Sequence, residues 1–380
     1  MGAGIAQLAC LAGFPTLLHD PDAEALERGR HGIRENLDRG AGRGRWSAAD
    51  ADKAAARLQA AAGLEGLAGC ALVIEAAPER LELKRDLVAG LEAICGPETV
   101  LATNTSSLPV GEVAAEADHP QRICGMHFFN PPVLMKLVEV VAGERSSAAA
   151  LELVTSVAER MGRTPVRCSD SPGFVVNRCN RPFTLEALRI LDQGVAEAPE
   201  IDRIMREAGG YRMGPFELID LIGVDVNLAV ARSLYRQRPL ARWRPHPIQE
   251  RLADSGRLGR KSGQGFYEYD GAGQRQPGDG LDPGPELTRL VLERIVAQLV
   301  NEACFAAGER VAAAADIDAA MRLGLNHPRG PFEWGRELGP ERVLAILDGL
   351  ADRLGDDAYG AAPLLRSWVT GEVPAPAAQA

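Results

Sequence analysis

Residues 99–131 read TVLATNTSSLPVGEVAAEADHPQRICGMHFFNP. Two apolar runs, TVLAT and RICGMHFF, each end on polar or turn-forming residues, NTSS and NPP. Runs of this length bounded by turn chemistry are the signature of buried strands. Upstream, CALVIEAAP (70–78) and PTLLHD (15–20) repeat the pattern, and downstream TPVRCSD (164–170) does so again. Helix-like segments lie between them, including PERLELKRDLVAGLEAIC (78–95) and SAAALELVTSVAERMG (147–162). LVEVVAG (137–143) alternates and is expected to add an edge strand. Strands in alternation with helices predict a doubly wound, mostly parallel α/β sheet over residues 1–169.

From residue 170 onward strand signals give way to helical periodicity, apart from GFYEYD (265–270). A second domain is expected over 170–270, a Gly/Pro-rich linker over 271–286, a third domain over 287–370 and a disordered tail over 371–380. An internal repeat joins the two helical stretches. Glu186-Ala187 recurs as Glu302-Ala303, Ile201-Asp202 as Ile317-Asp318, and Met205 as Met321. Gly214-Pro215-Phe216-Glu217 recurs as Gly330-Pro331-Phe332-Glu333, and Gly223 as Gly339. Every pair is 116 residues apart, so the C-terminal region reads as two copies of one helical unit.

Composition narrows the function classes. The 380 residues carry a net charge of −10, which argues against a nucleic-acid surface. No apolar run reaches the roughly 18 residues of a membrane helix. Seven scattered cysteines, never spaced as C-x-x-C, read as free thiols of a cytoplasmic protein with no metal cage.

Three places carry chemistry. The chain opens Met1-Gly2-Ala3-Gly4-Ile5 and reaches Asp20 at the end of an apolar run, part of the pattern that cradles a dinucleotide. Read alone, it is equally a Gly-rich helix start. Thr103-Asn104-Thr105-Ser106-Ser107 ends a strand, where α/β sheets bind ligands; it also reads as a turn or helix cap. Finally, His127 lies between an apolar strand and a Pro-Pro turn, and Glu139 stands in the apolar stretch LVEVV. A buried carboxylate needs a partner, and an imidazole is a natural one. The two read either as a structural pair or as a general base with its orienting acid.

MGAGIAQLA, LVIEAAPE, TNTSSL, HFFNPP, KLVEVV, DSPGFVVNR, GPFELIDLIG and RKSGQGFYEY, in this order, resemble the NAD-dependent 3-hydroxyacyl-CoA dehydrogenases. The resemblance runs from Met1 to about Tyr269, and 287–370 resembles a second C-terminal domain of that family. The duplication is similar to the longer bacterial 3-hydroxybutyryl-CoA or 3-hydroxyadipyl-CoA type. The resemblance implies an oxidoreductase of fatty-acid metabolism, interconverting (3S)-3-hydroxyacyl-CoA and 3-oxoacyl-CoA with NAD. It implies a 6-phosphogluconate-dehydrogenase-like C-terminal fold, an acyl-CoA substrate and a homodimer. By position, it makes His127 the base, Glu139 its orienting acid, and Ser106 and Asn177 the substrate contacts. It puts Gly2, Asp20, Glu79, Lys84, Asn104 and Lys261 at NAD, and Arg43 near the CoA phosphates, although a solvated loop charge is the simpler reading of Arg43.

One departure stands out. In this family a buried strand and two further glycines precede MGAGIA. The sheet is therefore expected to lack its first, central strand, leaving two neighbours without a shared ladder partner. The expectation is that Met1 is an internal methionine of a longer enzyme; the competing reading is a degenerate relative that binds NAD weakly and acts without catalysis. A third reading, a dehydrogenase of free 3-hydroxy acids, is disfavoured by the His127 and Glu139 motifs.

Overall fold

The computed structural model describes residues 1–276 and 282–371, in two compact units, Met1–Asp170 and from Ser171 onward. Residues 277–281, inside the expected linker, and 372–380, nearly all of the expected tail, lie outside the described residues.

The first unit runs α1 (Gly2–Leu11), β1 (Thr16–Leu18), α2 (Ala23–Gly42), α3 (Ala48–Ala56), β2 (Leu58–Ala60), β3 (Leu72–Glu75), α4 (Leu81–Ile94) and β4 (Val100–Thr103). It continues through α5 (Val110–Val113), β5 (Ile123–Phe128), β6 (Leu137–Ala142), α6 (Ala148–Arg160) and β7 (Thr164–Ser169). This is the expected α/β architecture. The sheet comes in two pieces: β1 pairs with β2 in parallel, and β3-β4-β5-β6-β7 form a second ladder. No ladder joins β1 to β3, the two strands expected to lack a common neighbour.

Helix α1 spans the division. It carries no charged residue, and Gln7 is its one polar side chain, so the helix is stable only when buried. Ile5, Leu8 and Ala9 pack with Val100, Ala102, Met126 and Val138 of the larger sheet. Ala6 and Cys10, on the other face, pack with Ile33, Leu37 and Ala54.

Two details differ from the sequence reading. The strand β2 was not expected, because LQA is short and mostly exposed. The expected edge strand, β6, is interior: it pairs antiparallel with β5 and parallel with β7. Leu137–Val141 are all buried, and such a strand needs ladder partners on both sides for its backbone groups.

The second unit is helical: α7 (Val176–Cys179), α8 (Arg181–Asp192), α9 (Ala198–Glu207), α10 (Pro215–Ile222), α11 (Val224–Gln237) and α12 (Pro247–Asp254), then α13 (Gly284–Gly308), α14 (Ala314–Leu325), α15 (Pro331–Leu338), α16 (Pro340–Leu354) and α17 (Pro363–Thr370). Helix α13 starts inside the stretch expected as linker, since Pro285 suits a first helical turn. Among the described residues no helix is long and apolar enough to cross a membrane.

The sequence repeat is also a structural one. Helices α9 to α12 and α14 to α17 begin 116 residues apart, one for one. In the first copy Asp202 accepts from the amides of Phe216 and Glu217, both at 2.9 Å, and Glu217 accepts from the amide of Gly214 at 3.1 Å. In the second, Asp318 accepts from the Phe332 amide at 2.7 Å, and Glu333 from the Gly330 amide at 2.7 Å. A Cβ on Gly214 or Gly330 would lie 2.3 Å from atoms of Asp202 or Asp318, so only glycine permits this approach.

The copies bind each other reciprocally. Arg178 donates to Glu302 (2.9 Å) and Glu309 (3.1 Å), and Trp243 donates to Glu302 (3.0 Å). Their equivalents reverse the roles: Arg294 donates to Glu186 and, at 2.9 Å, to Gln193, while Tyr359 donates to Glu186 at 3.1 Å. All four correspondences, 178/294, 186/302, 193/309 and 243/359, keep the 116-residue offset. Such reciprocity is what a two-fold interface between identical units shows, here inside one chain.

Candidate active site

His127 on β5 and Glu139 on β6 are direct cross-strand partners in the antiparallel ladder. Their side chains therefore leave the same face at adjacent positions. The His127 Nδ1 lies 2.6 Å from Glu139 Oε2, and the residues are 6% and 0% exposed. A carboxylate on Nδ1 holds the imidazole in one orientation and assigns proton exchange to Nε2. The Phe129 ring packs against the His127 ring with centroids 4.6 Å apart.

Beside this pair, the tip of β4 carries the polar segment 103–107. Asn104 Oδ1 accepts from the amide of Phe128 at 2.8 Å, tying that tip to the residue after His127. Glu79, at the start of α4, gathers the rest. Its Oε1 accepts from Thr105 Oγ1 (2.6 Å), the amides of Ser106 and Ser107 (both 2.9 Å) and Ser107 Oγ (2.9 Å), with Ser106 Oγ at 3.4 Å. Burial pushes the Glu79 carboxyl up, but the Thr105 hydroxyl, the Lys84 charge and the serine donors outweigh it and hold it below the usual value.

Lys84 stands between two carboxylates. It is 1% exposed, and its ammonium sits 2.8 and 2.9 Å from the two oxygens of Glu75 and 3.4 Å from Glu79. Glu75 also accepts from Thr103 Oγ1 at 2.7 Å. Glu75 was missed in the sequence, although LVIE carries the signal that exposed Glu139, an acid ending an apolar run.

The start of α1 lies near the tip of β3, with Gly2 facing Ala76. No side chain caps this helix and no acid stands in its first turn, so its positive end suits a diphosphate. Asp20, exposed just beyond β1, accepts from the Asp22 amide. Arg43 is exposed at the C-cap of α2. Asn177 and Lys261 belong to the second unit; Asn177 is on α7, and the Lys261 ammonium is 2.6 Å from Asp225.

Residues 1–171 match the NAD-binding domain of 3-hydroxyacyl-CoA dehydrogenases, and residues 173–269 and 290–374 match their C-terminal domain. The chain belongs to the 3-hydroxyacyl-CoA dehydrogenase family. A 3-hydroxyadipyl-CoA dehydrogenase of Escherichia coli K12 is 36% identical, covering 96% of this chain and 94% of that one. A probable 3-hydroxybutyryl-CoA dehydrogenase of Bacillus subtilis is 40% identical, over 71% of this chain and 94% of its own length. The crystal structure of a 3-hydroxybutyryl-CoA dehydrogenase from E. coli K12 superposes with a TM-score of 0.91 at 35% identity, covering 98% of this chain and 96% of that one. This 3-hydroxyacyl-CoA dehydrogenase is thus an NAD-dependent oxidoreductase acting on 3-hydroxyacyl-CoA. The uncapped α1 and the acid after β1 fit NAD on the residues present. The reading as a non-catalytic relative is not favoured.

Proposed function

We propose that His127 is the general base for the 3-hydroxyl of a (3S)-3-hydroxyacyl-CoA, with Glu139 as its orienting acid. The buried 2.6 Å pair across β5 and β6 carries this reading. NAD, when bound, accepts the hydride from C3. His127 Nε2 takes the hydroxyl proton, and Glu139 stabilises the imidazolium that forms. Ser106 and Asn177 donate hydrogen bonds to substrate oxygens, which fixes the reacting geometry. Gly2, Asp20, Glu79, Lys84, Asn104 and Lys261 serve the cofactor.

The same reading divides the chain into an NAD domain (1–169) and two helical domains (170–270 and 287–370), in a cytoplasmic protein without nucleic-acid or membrane partners. A homodimer formed by this chain would use surfaces other than the reciprocal Arg178 and Arg294 face, because the two copies already cover it.

His127→Gln is expected to lower acetoacetyl-CoA-dependent NADH oxidation by about 10²–10⁴-fold, the usual range for a lost general base. The circular dichroism spectrum should be unchanged. Native-like turnover in that variant would sink the assignment.

A further inference from the structure

Four arginines of the described residues are less than a tenth exposed: Arg122, Arg178, Arg181 and Arg294. Three of them face carboxylates, Arg122 at Glu92, Arg178 at Glu302 and Arg294 at Glu186. Arg181 forms no ion pair among the described residues. Its guanidinium donates one hydrogen bond, from Nη1 to the Asn227 carbonyl at 3.2 Å, and its Nε is buried without an acceptor. Gln249 donates to Asn227 Oδ1 at 2.7 Å, while Gln249 Oε1 and Asn180 Oδ1 are buried without a donor. Asn180, Arg181, Asn227 and Gln249 are all more than nine-tenths buried. Burial lowers Arg181 to about 10, so the guanidinium stays charged at neutral pH.

A buried charge without a counter-charge is costly, and so is each buried polar atom left unpaired. The second helical copy shows that the fold does not demand this. At the 116-residue offset, Asn180, Arg181, Asn227 and Gln249 correspond to Val296, Ala297, Val343 and Leu365. All four are buried and fill these positions as ordinary apolar core. The polar set of the first copy therefore answers a demand other than packing. Arg181 follows Asn177, the proposed substrate amide, by four residues, and the backbone stays helical between them through Asn180. Residues so spaced share a helix face, about 6 Å apart along its axis. A guanidinium is a planar fork that takes a carboxylate through two parallel hydrogen bonds. One guanidinium, with no second cation in the set, neutralises a single negative charge, which suits a carboxylate better than a phosphate. Asn180 adds an amide donor, since a half-turn of its carboxamide exchanges oxygen and nitrogen.

We propose that Arg181, supported by Asn180, Asn227 and Gln249, binds a carboxylate at the far end of the acyl chain, so that the preferred substrates are CoA thioesters of 3-hydroxy dicarboxylic acids. The inference rests on the reading of Asn177 as a substrate contact. A methyl-ended chain leaves the guanidinium unpaired, and a site built around a buried polar group discriminates against the partner that cannot pair with it.

The test compares two six-carbon substrates in NADH oxidation by the full chain: 3-oxoadipyl-CoA, which ends in a carboxylate, and 3-oxohexanoyl-CoA, which ends in a methyl group. The native chain is expected to show a kcat/KM about 10–100-fold higher for the carboxylate-ended thioester, the scale of a hydrogen bond to a charged group. In Arg181→Ala, which installs the residue of the second copy, that ratio should fall to about one. The urea midpoint should hold or rise, because a buried charge is removed and no partner carboxylate is left behind. Equal kcat/KM values in the native chain, or an undiminished ratio in Arg181→Ala, overturn the inference. A purely structural role lowers both substrates alike together with the midpoint, which leaves the ratio standing and also overturns it. Should Arg181→Ala not fold, the fourfold variant Asn180→Val, Arg181→Ala, Asn227→Val, Gln249→Leu carries the apolar set of the second copy and is read by the same ratio. Asn177→Ala separates the two levels, and it should lower kcat/KM for both thioesters with their ratio intact. That result beside a native chain without preference rejects the Arg181 site alone, whereas unchanged kcat/KM in Asn177→Ala rejects the reading of Asn177 and this inference with it.

Discussion

Asp202 in the first helical copy and Asp318 in the second occupy the same niche, each accepting from a phenylalanine amide of the next helix and each crowding a glycine that admits no side chain. Asn177 and Glu293 also occupy equivalent positions, but they have diverged. The proposed substrate amide of the first copy is replaced in the second by an acid that pairs with Arg342 at 2.6 Å. Likewise the helix-start acid Asp225 binds Lys261, in a segment whose counterpart would fall at residues 372–380, beyond the described part. Positions where backbone approaches side chain tolerate one residue type, because a single added carbon would overlap. A position facing solvent or ligand carries no such demand, so an amide can give way to an ion pair. The second copy thus keeps the packing of the first without its proposed chemistry.

The hardest way to break this comparison is at the reciprocal face. Arg178→Ala leaves Glu302 buried with reduced compensation, and Arg294→Ala does the same to Glu186. Each is expected to cost about 1.5–3 kcal/mol in urea unfolding, the scale of a hydrogen bond to a charged group, because Arg242 still faces Glu302 and Arg189 still faces Glu186. Equal losses support two-fold equivalence, and a loss confined to one variant breaks it. A smaller effect should separate the copies by chemistry. Asn177→Ala is expected to lower kcat/KM about tenfold, the scale of a hydrogen bond to reacting oxygen. Glu293→Ala should leave kcat/KM unchanged and cost no more than about 1 kcal/mol, since its ion pair with Arg342 is largely a surface one.

The smallest effect is a pH dependence. Burial raises Asp202 to about 7, despite the hydrogen bond from Tyr267, and raises Asp318 to about 6, despite the Phe332 amide. Both folded values exceed the ordinary 3.8. The stability linked to each proton is therefore fully present below pH 4 and is lost as pH rises through the folded value. Asp318 completes its loss first. The unfolding free energy from urea titrations should fall between pH 6 and 7 by about 1 kcal/mol in the native chain, and by clearly less in Asp202→Asn, where only Asp318 still titrates. The same slope in Asp202→Asn would remove this distinction between the copies.

Much of the site was legible because it lies on strands. An acid inside an apolar run, as at Glu139, announces a buried partner, and His127 was the residue able to serve. Glu75 gave the same signal, but its partner Lys84 lies on the following helix, where a lysine among charged neighbours looks like any solvated residue. Its burial depends on how α4 settles against β3 and β4. The placement of β6 was misjudged for a related reason: alternation along a strand says which face is apolar and nothing about which strands flank it.

The sequence by itself determined the α/β and helical halves, the 116-residue duplication, the family and the residues of the His127 pair, because these depend on local periodicity, repetition and motif order. Only the tertiary structure decided the interior position of β6, the enclosure of Lys84 and the exchange of Arg178 and Arg294 between copies. Those depend on contacts between residues far apart in the chain, whose free energy comes from burial and charge pairing that no local pattern encodes.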